Sequence, residues 1–342
     1  MRSRANRRLL CRYTGDSAWY FARSGQDARA GIRAAGDDQA LIEHHFLTKF
    51  SGGFAYAAHP VAIRATRVLD DRTDVLLDDH AYTSRPDHPY DVADHAIRSI
   101  LPSGTSPHQL LGVCGLRVGH IDDRGLHLRL LQAPTAHLTL TGPPPSRWRQ
   151  LLADLRNDTT EDGVPVLWDR PQLAAVERDF RNHHGEWDDE EAEMRWLTSG
   201  LLRRIGLWHT VSTAFCSRYW QRGDQTMIWE LRHAYGVRPA HDELAAAFRN
   251  PVWGQPLTIL KSHCDCHHRR PDPGNRPHPD FGRQCLFEFH HPDHPGVIQV
   301  RFNTEAPRLE DEPKVHVALT AARANAVWLE RVLPSRRFRA TG

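Results

Sequence analysis

Apolar and polar residues alternate with period two near both ends of this chain, and the stretch between them has helical periodicity. Alternation of that kind gives a strand one buried face and one solvated face, the usual state of antiparallel sheets. In the first half the short segments 61–69 (VAIRATRVL) and 73–79 (TDVLLDD) flank a polar turn and suggest a hairpin. A second hairpin is expected from 110–121 (LLGVCGLRVGHI) and 126–133 (LHLRLLQA) around the turn DDRG, with the alternation in the returning strand, and 136–142 (AHLTLTG) continues the β character. The final third adds QTMIWEL, PLTILKS, CLFEFHH, VIQVRFN and KVHVALT.

Helical spacing appears first over residues 37–50. There Asp37 is placed to cap, and Ile42, Phe46 and Phe50 form one stripe. Two further helices are expected over 146–157 and 171–183. A long one is expected over 188–221, with Asp188 as its cap and Glu191 completing a capping box. Its stripe is Met194, Leu197, Leu201, Ile205, Trp208, Val211, Phe215 and Tyr219, and Gly200 and Gly206 favour a kink or a split. Trp208 and Trp220 read as core residues. A last helix is expected over 320–333. Strands on both sides of a helical middle specify an α+β fold with antiparallel sheet segments in both halves. The GPPPS break at 142–146 divides an N-terminal α+β part (1–142) from a helical segment and C-terminal sheet (146–342).

The formal net charge over 342 residues is only +2, so no global field directs the chain to DNA or to acidic lipid. Lysine occurs three times, at Lys49, Lys261 and Lys314, and none of them stands in a G-x-x-x-x-G-K-[ST] context. A P-loop nucleoside-triphosphate site is therefore excluded. G-x-G-x-x-G, G-x-S-x-G, H-E-x-x-H, S-x-x-K and the kinase motif set are also missing. No run reaches the ~18 apolar residues of a membrane span, and no secretory leader is evident. A reducing cytoplasm is the expected setting, and there a close pair of cysteines favours metal over a disulfide. Composition says nothing about oligomeric state.

Histidine is unusually frequent, at 23 residues, and its densest company lies in residues 261–268, KSHCDCHH. Zinc takes four tetrahedral ligands and favours thiolate and imidazole. The expected ligands are Cys264, Cys266, His268 and Cys285, with His263, His267 and His278 as substitutes. The C-x-C spacing is shorter than a zinc knuckle. In an extended strand, Cys264 to His268 would spread over about 13 Å, so the chain must bend at the cluster. Residues 269–283, RRPDPGNRPHPDFGR, have almost no apolar content to order them. A structural zinc contributes about 10–16 kcal/mol at neutral pH, enough to offset much of that loop's conformational entropy. The cluster therefore reads as one jaw of a metal clip closed across the loop by Cys285.

Alternation also places Cys285, Phe287, Phe289 and His291 on one face of the strand 285–291, and Leu286, Glu288 and His290 on the other. If the neighbouring strands are VIQVRFN and KVHVALT, Glu288, His290, Arg301 and His316 gather on one sheet face. Those are suitable types for acid–base work on an anion. The segment FHHPDHPG at 289–296 reads as a Pro/Asp/Gly turn. Arg269, Arg270 and Arg301 are the candidate anion contacts.

Three functions follow. The first is a zinc protein that acts through binding, with nucleic acid as the partner suggested by the arginine-bearing loop and by Arg336, Arg337 and Arg339 in the tail. The second is a metal-dependent or acid–base hydrolase or lyase using Glu288, His290 and His316. The third is a regulatory or structural protein without catalysis.

Overall fold

The computed structural model of the protein describes residues 2–16, 31–50, 54–55, 59–69, 72–82, 89–209, 214–222, 225–234, 241–264 and 284–305. The chain opens with α1 (Arg2–Thr14), α2 (Asp37–Phe50), β1 (Phe54–Ala55), β2 (Ile63–Val68), β3 (Arg72–Leu77), β4 (His80–Tyr82) and β5 (Pro89–Asp91). It continues through α3 (Val92–Ile100), β6 (Leu116–Asp122), β7 (Gly125–Leu130), β8 (Ala133–Thr141) and α4 (Pro145–Glu161). Next come α5 (Ala175–Glu193), α6 (Arg195–Leu202), α7 (Gly206–His209), β9 (Ala214–Arg222) and β10 (Thr226–Ala234). The last described elements are α8 (His241–Phe248), β11 (Thr258–His263), β12 (Gln284–His290) and β13 (Val297–Glu305). The expected strand KVHVALT and the helix at 320–333 lie outside the described residues.

The α+β class is as expected, and the chain forms two compact units. The first comprises Met1–Phe50, Ile63–Asp79 and Asp91–Ile205; the second takes its described residues from 51–62, 80–90 and 206 onward. The 142–146 break lies inside the first unit, where it turns the chain from β8 into α4.

The first unit holds a five-stranded sheet in the order β2-β3-β8-β7-β6. Both expected hairpins are there as antiparallel pairs, β2 with β3 and β6 with β7. The sheet is mixed rather than antiparallel, because β3 joins β8 in parallel register. Alternation tells which face of a strand is buried but not which distant strand lies beside it. Helix α2 matches the expected range. Its opening turn begins at Gly36, whose carbonyl accepts from the Ala40 amide at 2.8 Å, so Asp37 is the first helical residue rather than the cap. Its stripe, Ile42, Phe46, Leu47 and Phe50, is buried against β8 and α6. Each such side chain contributes about 1.5–3 kcal/mol by leaving water.

Two ion pairs lie in this core. Glu43 on α2 is fully buried and accepts from Arg203 Nε and Nη2, each at 2.8 Å. Thr73 and Ser199 add hydroxyl hydrogen bonds at 2.5 Å, and Gln39 Nε2 donates at 2.9 Å. Burial alone would raise the Glu43 pKa, yet Arg203 and the Ser199 and Thr73 hydroxyls outweigh it and hold the carboxyl below its ordinary value. Glu177 on α5 makes the second pair with Arg117 on β6, at 2.9 and 2.7 Å, and also accepts from the amides of Gly115 and Ala174. Breaking one partner of such a pair leaves an uncompensated charge indoors, which costs about 3–5 kcal/mol.

The long helix expected over 188–221 does not form. Residues 188–193 are the end of α5, which begins thirteen residues before Asp188, so neither Asp188 nor Glu191 caps a helix start. A break at Met194 separates α6, the short α7 follows, and 214–222 is the strand β9. Phe215 and Tyr219 are four apart, a spacing that shares one face of a helix and one face of a strand alike. Pairing with β10 decides between the two, since it supplies hydrogen-bond partners along the whole segment.

The second unit is built on an eight-stranded sheet in the order β11-β12-β13-β10-β9-β1-β4-β5. Its β12 pairs antiparallel with both β11 and β13, and β13 runs parallel to β10. Trp208 is fully buried, stacked on Trp229 at 3.9 Å with Phe248 edge-on at 5.2 Å. It is a core residue, as expected; the Trp220 side chain lies outside the described residues. Helix α8 packs on α7, and Phe248 reaches Phe289 of the sheet at 5.6 Å.

Candidate metal centre

Strand β11 is exposed along most of its length and ends one residue before Cys264. Its register with β12 starts as Thr258↔His290 and Ile259↔Phe289, then shifts, and resumes as Lys261↔Glu288, Ser262↔Phe287 and His263↔Leu286. Continued by one residue, that register sets Cys264 opposite Cys285. Without the bulge, Cys264 would face Gln284 instead. The inserted residue is Leu260, whose side chain is 56% exposed, as expected where one strand carries an extra residue. A one-residue irregularity thus aligns two thiols.

The sulfurs of Cys264 and Cys285 lie 3.6 Å apart, and His241 Nε2 is 3.2 Å from Cys264 Sγ. The three ligand atoms all fall within 4.8 Å of one another. Around a tetrahedral zinc with bonds of about 2.3 Å to sulfur and 2.05 Å to nitrogen, two thiolates lie roughly 3.8 Å apart, and a thiolate and an imidazole roughly 3.6 Å. The observed separations are close to those values, so the three side chains can share one ion after shifts of a few tenths of an ångström.

His241 and Cys285 are 1% and 2% exposed, and Cys264 is half-buried. His241 is the first residue of α8. Its ring is held edge-on and tilted against Phe302 and Phe287, with centroids 5.7 and 5.5 Å away. Nδ1 lies 3.1 Å from the Asp242 carboxylate, which leaves Nε2 aimed at the thiols. A carboxylate behind the second imidazole nitrogen is a common way to fix the orientation of a metal-binding histidine.

The sequence placed Cys264 and Cys285 in one site, and the structure brings them together. Cys266, His267, His268 and His278 lie outside the described residues, as do Arg269, Arg270 and His316. His263 is exposed at the end of β11. His241 was missed, because it stands 23 residues before Cys264 on another element. Its signal is weak but present: in HDELAAAF the apolar face is Leu244, Ala245 and Phe248, and His241 continues that face by one turn.

The other face of β12 carries Glu288 and His290, half-exposed as the alternation predicts. Glu288 sits opposite Gln299 in β13, and Leu286 opposite Arg301. Gln299 Nε2 donates to Glu288 Oε1 at 2.6 Å, and Arg301 Nε donates to Gln299 Oε1 at 2.5 Å. Gln299, 7% exposed, therefore links Glu288 to Arg301 in one line, and His290 lies at the end of the strand opposite Val297 and Thr258.

No helix among the described residues is long and apolar enough to cross a membrane. No protein-family model matches the chain, and no curated protein or solved structure compared with it is significantly similar. Fold and site together define an α+β chain with a candidate His/Cys metal-binding group in its second unit.

Proposed function

We propose that this chain is a zinc-binding protein in which His241, Cys264 and Cys285 hold one structural ion, and that it acts through binding rather than catalysis. The observation that supports this best is the set of two thiols and a buried imidazole at 3.6 and 3.2 Å on three separate elements. Soft thiolates with an imidazole select zinc over magnesium or calcium, which take oxygen ligands. A buried, thiolate-rich shell suits a structural ion, whereas a catalytic zinc keeps a position open to water. The fourth ligand is supplied by Cys266, His267, His268 or His278 of the segment between β11 and β12, or by His263. The segment that such a clip would close carries Arg269, Arg270, Arg276 and Arg283, and Arg301 on β13 is a further candidate contact. Their chemistry fits the phosphate backbone of a nucleic acid.

Elemental analysis of the purified protein tests the metal: one zinc per chain is expected, and none in Cys264→Ser/Cys285→Ser. Equal metal content in both proteins would overturn the reading. The partner is tested by titrating single- and double-stranded oligonucleotides at two salt concentrations, with steep weakening at the higher one expected. Retained zinc with no affinity for either strand form would leave a metal clip without a nucleic-acid role.

A further inference from the structure

The hairpin of β6 and β7, in the first unit, carries a second donor set. Asp122 closes β6 opposite Gly125, and Ile121 pairs with Leu126, but the register is broken between Val118 and Ile121. The irregularity takes in Gly119 and His120. On β7, Leu126 and Leu128 are buried, so His127 between them projects from the opposite face. His120 lies over it: the two imidazoles stack with centroids 4.0 Å apart and planes 9° from parallel.

Asp122 sits at the same end of both rings. Its Oδ1 is 2.8 Å from His127 Nε2, and its Oδ2 is 3.8 Å from His120 Nε2. The carboxylate is itself fixed by the turn, since Oδ1 accepts from the backbone amides of Arg124 at 2.8 Å and Gly125 at 3.3 Å. His127 is fixed from behind, with Nδ1 3.2 Å from the Thr139 hydroxyl on β8. That hydroxyl can accept from an Nδ1–H, the tautomer that leaves the Nε2 lone pair available.

We propose that His120, Asp122 and His127 form a surface site for a divalent first-row transition ion, bound through two imidazole nitrogens and one carboxylate oxygen. Ligands at about 2.1 Å from one ion are separated by roughly 3.0 Å at a right angle and 3.4 Å at the tetrahedral angle. The two carboxylate–imidazole distances bracket that range. His120, with its side chain 65% exposed, can turn its ring to converge on the ion, whereas His127, 13% exposed, is already held. The remaining coordination positions face solvent and take water. Imidazole with carboxylate suits nickel and copper, and the site lacks the thiolates that favour zinc in the other unit. The ordinary alternative is a hydrogen-bonded His–Asp pair on a hairpin, with no metal.

Titration of the purified full-length protein with Ni²⁺ by calorimetry decides between them. One nickel per chain is expected at this site, with affinity falling by about tenfold or more in His120→Ala and in His127→Ala. Both positions are on the hairpin's solvent face, and circular dichroism and an unchanged zinc content confirm that the variants are folded. Thr139→Val, which leaves all three ligands in place, weakens nickel binding as well if the hydroxyl orients His127. Identical nickel titrations of the wild type and the His120→Ala/His127→Ala protein would overturn the proposal, as would the absence of nickel binding in the wild type. The zinc analysis of the thiol site reads separately, so either metal assignment can fail without the other.

Discussion

Cys264 and Cys285 face each other across β11 and β12 with sulfurs 3.6 Å apart, because a single extra residue, Leu260, moves the register of β11 by one. Deleting Leu260 joins Ile259 directly to Lys261, restores an unbroken ladder and leaves Cys264 against Cys285, so zinc measured by elemental analysis is expected to be retained. Inserting one residue between Ser262 and His263 instead moves Cys264 to the level of Gln284, and zinc is expected to be lost although every ligand is still encoded. Zinc held equally well by the insertion protein would show that the strand register does not align the thiols.

His241 supplies the imidazole, and Asp242 lies behind it at 3.1 Å. His241→Gln removes a ligand and is expected to release zinc readily to a chromophoric chelator. Asp242→Asn keeps the ligand and loosens its orientation, with an expected weakening of about tenfold. Equal chelator competition curves for both variants and the wild type would argue against a metal on His241.

With the ion stripped by chelator and air admitted, Cys264 and Cys285 are placed to oxidise to a disulfide. Bonded sulfurs stand about 2.05 Å apart, so the two sulfur atoms must approach by roughly 1.5 Å. A cross-linked peptide in a non-reduced digest of the stripped protein, absent from the zinc-loaded protein, is the expected readout. Protection by zinc is the decisive comparison, because a bound thiolate cannot attack an oxidant freely.

The Glu43–Arg203 pair predicts a large effect of a small change. Glu43→Ala leaves Arg203 charged and indoors, and urea unfolding is expected to show a loss of about 3–5 kcal/mol. Glu43→Leu/Arg203→Met removes both charges and is expected to recover much of that loss. A double variant as unstable as the single one would mean that the hydroxyl and amide partners, Thr73, Ser199 and Gln39, depend on the carboxylate.

The histidines next to Glu43 give the first unit a pH dependence. His44 is fully buried, hydrogen-bonded through Nδ1 to Thr198 at 2.8 Å, and its pKa is held well below the ordinary value by burial and by His45, Arg195 and Lys49. Burial, with Lys49, pushes His45 down to about 4. In the unfolded chain both titrate near 6.5, so below that pH the unfolded state binds protons that the folded state does not. Their contribution is complete above about pH 6.5 and is lost as pH falls toward about 4. Melting temperature is expected to drop from pH 7.5 to pH 5.5, and to drop less in His44→Gln. Glu43, whose folded pKa is lowered, adds a loss of the same sign at still lower pH, as its carboxyl protonates.

The local elements were legible from the residues alone. Helix α2, both early hairpins, the strands β10 to β13 and the alternate burial of Cys285, Phe287 and Phe289 follow from periodicity, because a pattern of period two or 3.6 buries one face whatever the neighbour is. The pairing of Cys264 with Cys285 was legible as well, since a polar, proline-rich segment between two cysteines calls for a clasp. What the sequence could not decide was every long-range choice. The parallel joins β3–β8 and β10–β13, the conversion of 214–222 from helix to strand, and the burial of Glu43 with Arg203 all depend on segments far apart in the chain. His241 belongs with these: alone it is one histidine among 23, and it becomes a candidate ligand because α8 packs its apolar face, His241 included, against Phe287 and Phe302. Local sequence sets the face that each element must bury; only the packed sheet sets which side chains meet there, because contact free energy is shared between partners that neither segment specifies by itself.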